Sequence, residues 1–235
     1  MVGGAAQLSL PLPARRGGRR RGAGRPATTA RKQVAHRSRA AHRAEHPVHV
    51  TLRCAGRSLR TQFVFPTVRG AISAANRAAP ERFRVVHFSI QGDHAHLIVE
   101  ARDRTALIEG VRGLSIRLAR RVNQLLGRRG RFFADRWHGR ALESPRAVRN
   151  ALVYVLANFR KHGHDHGATL DVRSSAPYFP DFVEFSGCAP IDRTPCWLPR
   201  LVAPPEPPTV VAKSWLLSVG WKRRGLISIL ERPAR

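Results

Sequence analysis

Residues 83–101 read FRVVHFSIQGDHAHLIVEA, and this stretch limits the chain's options most. Two apolar runs rich in Val, Ile and Phe flank Gly92-Asp93, a pair suited to a tight turn. The stretch predicts a β-hairpin, 83–91 paired with 94–101. Ahead of it, HPVHVTLRC (46–54) alternates Val48, Val50 and Leu52 with His49, Thr51 and Arg53, the pattern of a half-buried strand. Between the two, Val68, Ile72 and Ala75 are spaced four and three apart. They predict a short helix over 67–79 that Pro80 ends.

A longer helix is expected from Asp103 to about Gly127. Leu107, Val111, Leu114, Leu118, Val122 and Leu125 recur at helical spacing there and form one apolar stripe. GRRGRFFADRWHGRAL (127–142) follows as a basic ribbon carrying aromatics. Ser144-Pro145 then sets an N-cap and a first helical position. The last helix is expected to run to Lys161 or His162 and stop at Gly163. The order β-α-β-β-α-β-α predicts an α+β fold: a ferredoxin-like or RRM-like antiparallel sheet with helices on one side. That body spans 46–167. Residues 1–45 are Gly, Ala and basic residues without periodicity, expected to be a disordered Arg-rich arm. Residues 168–235 form an irregular extension to which the sequence gives no chemistry, with a small helix expected within 212–228.

Charge narrows the partners. The chain's 235 residues carry 42 Lys and Arg against 15 Asp and Glu, a formal net charge of +27. Lysine stands only at 32, 161, 213 and 222, so arginine carries nearly all of it. Such a field draws polyanions and releases their counterions, and guanidinium forks onto phosphate. A GC-rich genome also raises Arg, Ala and Gly, and both explanations apply. No apolar run reaches the roughly 18–20 residues of a membrane span. Three cysteines without a C-x-x-C pair argue against a disulfide framework or a cysteine zinc site. A soluble, cytoplasmic protein is expected.

Several residues stand out chemically. His94 and His96 lie two apart on a strand, hence on one face, where paired neutral imidazoles suit a divalent metal. Two polar residues on a solvated edge explain the same spacing. Tyr154 and Asn158 lie four apart, stacked at the edge of an apolar face formed by Val148, Leu152, Val155 and Phe159. An amide oxygen suits a hard cation such as Mg²⁺ or Mn²⁺; the alternative is a packed Tyr beside a helical Asn. His162, His164 and His166 are either a further metal-binding group or incidental, and Lys161 and His162, about two turns beyond Tyr154, are candidates to assist it. In the ribbon, Arg128, Arg129, Arg131, Arg136 and Arg140 are candidate DNA contacts. They interleave with Phe132, Phe133 and Trp137, which are either stacking surfaces or core. In the arm, Gly24-Arg25-Pro26 matches the core of a minor-groove-reading peptide, with Arg25 as the inserted residue. Gln7-Leu8-Ser9-Leu10-Pro11-Leu12 looks like the peptide with which bacterial proteins dock on the replicative sliding clamp. Leu8, Leu10 and Leu12 would be its apolar anchors and Gln7 its hydrogen-bonding amide.

Taken together, HPVHVTLR, the His-hydrophobe-His motif in DHAHLIVEA and Y-x-x-x-N at 154–158 resemble the single-tyrosine HUH transposases. The closest resemblance is to the REP-associated tyrosine transposases of bacteria, over residues 46–163. Ala95 is smaller than the usual branched hydrophobe, and Asp93 stands where the pattern often has Asn. The resemblance implies a metal-dependent single-stranded DNA endonuclease and strand transferase that acts at hairpin DNA, associated with the bacterial nucleoid. Tyr154 would be its nucleophile, and His94, His96 and Asn158 would hold Mg²⁺ or Mn²⁺. The intermediate would be a 5′-phosphotyrosine. Two rivals remain: a hydrolase binding zinc through H-x-H, and a non-catalytic hairpin-binding protein derived from a transposase. Monomer and homodimer are both open.

Overall fold

The computed structural model describes residues 41–56, 59–163, 170–185 and 206–233. Arg25 and the peptide Gln7, Leu8, Leu10 and Leu12 lie outside the described residues, as do His164 and His166.

Four strands form one antiparallel sheet: β1 (Val48–Arg53), β2 (Phe83–Ile90), β3 (His94–Ala101) and β4 (His138–Ala141), in spatial order β2-β3-β1-β4. That order is the ferredoxin-like one, and it follows from two split β-α-β units whose crossovers are α1 (Phe65–Ala78) and α2 (Arg104–Leu125). The α+β class and the antiparallel sheet expected from the sequence are both present. Asp103 caps α2, its carboxylate accepting from the Ala106 N–H at 2.7 Å. Helix α1 begins at Phe65, two residues before Thr67, because Pro66 fits the first turn.

The expectation that the helices share one side holds for α1 and α2 only. Their apolar stripes meet Val50, Leu52, Phe88, Leu97 and Val99 in one core. The third long helix, α3 (Pro145–Leu156), lies across the opposite face and packs on Val86 and Ile98. Periodicity shows that a helix has an apolar face, and not which side of a sheet that face meets. Strand β3 is therefore covered on both sides, which explains the near-continuous burial of HAHLIVEA.

Residues of the C-terminal extension complete this second core. Phe179, Phe182, Leu216, Leu217, Trp221 and Ile227 are all buried there with α3. A short helix, α5 (Trp215–Ser218), and a 3₁₀ turn over Gly220–Arg224 carry three of them, within the 212–228 stretch expected to be helical. Polar clamps hold the extension in register. Asp171 takes a two-pronged ion pair from Arg60, at 2.9 Å on each arm. Glu100, nearly fully buried, accepts from Arg84 at 2.6 Å and from the backbone N–H groups of Lys213 and Ser214 at 2.9 and 2.8 Å. Burial pushes the Glu100 carboxyl upward, but these donors outweigh it and its pKa is lowered. Residues 173–175 bond along the outer edge of β2 and cover it.

Two further expectations change. Only His138–Ala141 of the 127–142 ribbon is strand. The last helix is not continuous: α3 ends at Leu156, Ala157 has φ −110° and ψ 12°, and a single turn, α4 (Asn158–Lys161), follows. No Gly or Pro marks this break. It accompanies the burial of two adjacent residues, Asn158 and Phe159, at 0% and 1% exposure. Among the described residues no helix is long and apolar enough to cross a membrane.

Candidate active site

The sheet register builds the site. Across the face toward α3, His138, Thr51, His96 and Ser89 form one row on β4, β1, β3 and β2. Arg140, His49, Ile98 and His87 form the next row. A bulge at Val86 keeps β2 in phase. The side chains of His94 and His96 share this face as the spacing predicted, with ring centroids 4.8 Å apart at 83°.

Tyr154 descends from α3 onto this pair. Its hydroxyl is 3.5 Å from His96 Nε2, a long contact, and the two rings meet edge to face at 5.0 Å. His96 Nδ1 is engaged on its other side, 3.2 Å from His49 Nε2 and 3.2 Å from Thr51 Oγ1. That leaves Nε2 as the nitrogen directed at Tyr154. Burial, and then the neighbouring His49, His94, His162 and Lys161, pull the His96 pKa down to about 2. The ring is neutral and its lone pair is available to an electrophile. His94 is oriented in a different way: its Nδ1 donates to Asp93 Oδ1 at 2.7 Å. That bond is the first cause holding the Asp93 carboxyl below its ordinary value. A carboxylate behind an imidazole fixes the tautomer that frees Nε2. The Asp93 that departs from the resembled pattern thus has a defined task.

Sequence reasoning missed His49, which touches both His96 and Tyr154, its ring 5.2 and 5.6 Å from theirs. Burial and the charges of His138 and Arg140 lower its pKa to about 4, so it too is neutral. The only signal was its place opposite Val48 and Val50 in the alternation, and pairing with β3 was needed to read it. His162, for which the sequence leaves open an assisting role or none, sets its ring 5.1 Å from that of His94. Lys161 sets its ammonium 5.3 Å from the centre of the Tyr154 ring. Burial raises the Tyr154 phenol above its ordinary pKa, so it is protonated at neutral pH.

Asn158 differs from its expected position at the edge of the apolar face. It is fully buried, and neither its amide oxygen nor its nitrogen has a partner among the described residues. Leaving such a group unsatisfied costs about 1–3 kcal/mol, which a bound ligand would offset. Among the described residues no group of three or more His, Cys, Asp or Glu is gathered for a metal. A cation here would use the Nε2 atoms of His94 and His96 and a donor of another type, and an amide oxygen without a partner, as in Asn158, has the chemistry of that third donor.

The ribbon residues separate into packing and surface. Phe132 is core, Phe133 stacks on it edge to face at 4.8 Å, and Trp137 is packed against the same core. Phe132 is buried, while Phe133 and Trp137 are half-buried. Arg131 bonds the Phe133 and Ala134 carbonyls, which ties down its own loop. Arg128 and Arg136 are half-buried, while Arg129 and Arg140 are exposed.

No family model matches the chain. No curated protein matches it either. One solved structure, that of a REP-associated tyrosine transposase bound to a REP hairpin, is 18% identical to this chain. It aligns over 60% of this chain and 82% of its own, with a TM-score of 0.49.

Proposed function

We propose that this protein is a metal-dependent single-stranded DNA endonuclease and strand transferase acting at hairpin DNA, with Tyr154 as its nucleophile. The observation that carries the reading is the meeting of a phenol with paired imidazoles: Tyr154 Oη lies 3.5 Å from His96 Nε2, beside His94. The net charge of +27 supports a polyanionic substrate.

In this reading His94, His96 and Asn158 hold Mg²⁺ or Mn²⁺, which when bound polarises the scissile phosphate and neutralises its charge. The chain's own residues do the rest. Asp93 and the His49–Thr51 pair fix the two imidazoles so that both present Nε2 to the same space. Helix α3, seated on Ile98, holds Tyr154 over that space. The phenol attacks phosphorus, the Tyr154 Oη–P bond forms and the P–O3′ bond breaks. The phenolic proton passes to solvent water, and the departing 3′ oxygen takes up one proton from water and ends as a hydroxyl. Lys161 places positive charge over the ring as phenolate character grows. A 3′-hydroxyl from another strand reverses the step, so strands are exchanged without an external energy source.

The test uses hairpin oligonucleotides with single-stranded flanks, labelled at either end, incubated with the full chain and Mg²⁺ or Mn²⁺. A covalent protein–DNA adduct on the 5′-phosphate side is expected on denaturing gels. Tyr154→Phe and chelation each abolish it. An adduct that persists in Tyr154→Phe rejects the nucleophile. Tight hairpin binding with no adduct under any metal favours a non-catalytic binding protein.

A further inference from the structure

A concavity of about 410 Å³, lined in part by Tyr154, opens between β4, α3 and the C-terminal residues. His49 and Leu142 form its floor, and Tyr154 is one wall. Arg140, Asn150 and Arg232 stand exposed around its rim. This volume falls within the roughly 300–1,000 Å³ of small-ligand sites. None of the three rim side chains makes a hydrogen bond or an ion pair among the described residues. Two arginines and an asparagine therefore border one hollow with no hydrogen bond to hold their head groups elsewhere. An aliphatic and imidazole floor offers a surface to a flat ring. A carboxamide presents one donor and one acceptor, the pattern that meets a base edge. Guanidinium matches phosphate.

We infer that this concavity seats one unstacked nucleotide of the DNA strand, the one beside the scissile phosphodiester, with its base over His49 and Leu142 and its phosphate at Arg140 or Arg232. The inference rests on the reading of Tyr154 as nucleophile, because only a strand attacked there would pass this wall. It assigns the site to a base that has left its helix, a chemistry distinct from that of the stem, whose phosphates the remaining arginines meet. It also places residues from β4, α3 and the C-terminal extension around one ligand.

The experiment measures binding without chemistry. Tyr154→Phe protein is titrated, without metal, into fluorescent hairpin oligonucleotides in which each flanking nucleotide in turn is made abasic. One flank position is expected to lose roughly tenfold in affinity, the scale of a stacked base. In Tyr154→Phe with Asn150→Trp, which fills the hollow, the same position is expected to lose less than twofold. The exposed pair Arg140→Ala and Arg232→Ala carries the same comparison if the filled variant does not fold. A scan that is flat at every flank position overturns the inference, as does an equal loss in parent and both variants. Adduct formation by the wild type with a flat scan rejects the pocket and leaves the nucleophile standing. A position-specific loss without any adduct does the reverse.

Discussion

At the scale of single residues, three histidines of the face that carries the site, His49, His87 and His96, are kept neutral by burial. His87 shows what this does to stability. Desolvation pulls its pKa down to about 4, against a smaller upward pull from Glu100. Its Nδ1 lies 3.3 Å from Ser175 Oγ, and its ring meets Phe179 edge to face. In the unfolded chain the same ring titrates near 6.5. Between those values the unfolded state binds the extra proton, so stability falls as pH drops from about 6.5 toward about 4. The loss attributable to His87 reaches about 3 kcal/mol. Urea unfolding at several pH values should show this decline, and His87→Asn, which keeps a polar atom near Ser175, should flatten it. A decline equally steep in the variant would remove His87 from the account.

At the scale of elements, the approach of α2 to the sheet depends on one missing methyl group. A Cβ on Gly110 would fall within the ring of Phe83, itself only 3% exposed. In an ordinary helix interior Gly→Ala gains about 1 kcal/mol. Here the sign reverses, because the added carbon meets the base of a buried ring and not the free end of a flexible side chain. Gly110→Ala should lower stability by about 1–3 kcal/mol, the range for overpacked cores. Adding Phe83→Leu should recover part of that loss. A Gly110→Ala protein with a denaturation midpoint above wild type would show that α2 packs elsewhere. The stripe from Leu107 to Leu125 was legible as helix in the sequence. Gly110 within it reads there as a mild defect, since its reason is a ring from a distant strand.

At the scale of the whole molecule, the extension is part of the fold. Truncation after residue 205 removes Leu216, Leu217, Trp221 and Ile227 from the core that backs α3. It also removes the donors of Lys213 and Ser214 that satisfy Glu100. Burial of each large apolar side chain contributes about 1.5–3 kcal/mol, and a whole domain is stable by only about 5–15 kcal/mol. The truncated chain should lose its cooperative thermal transition in circular dichroism and aggregate on size exclusion. A truncated chain that melts like the intact one would make the extension an ornament on an independent body.

Sequence alone determined the local geometry: two strands either side of Gly92-Asp93, the cap at Ser144, the stripe of α2, and His94 and His96 on one face. Each rests on neighbours in the chain, so periodicity and turn chemistry suffice to read it. Tertiary structure alone decided which side of the sheet α3 covers, the break at Ala157 and the burial of Asn158. It also decided the arrival of His49, Thr51 and His162 around the histidine pair. Those depend on strand register and on contacts between residues some 45 to 70 positions apart. A linear pattern records that a face is apolar or polar, while the partner that meets it is chosen only when the layers close.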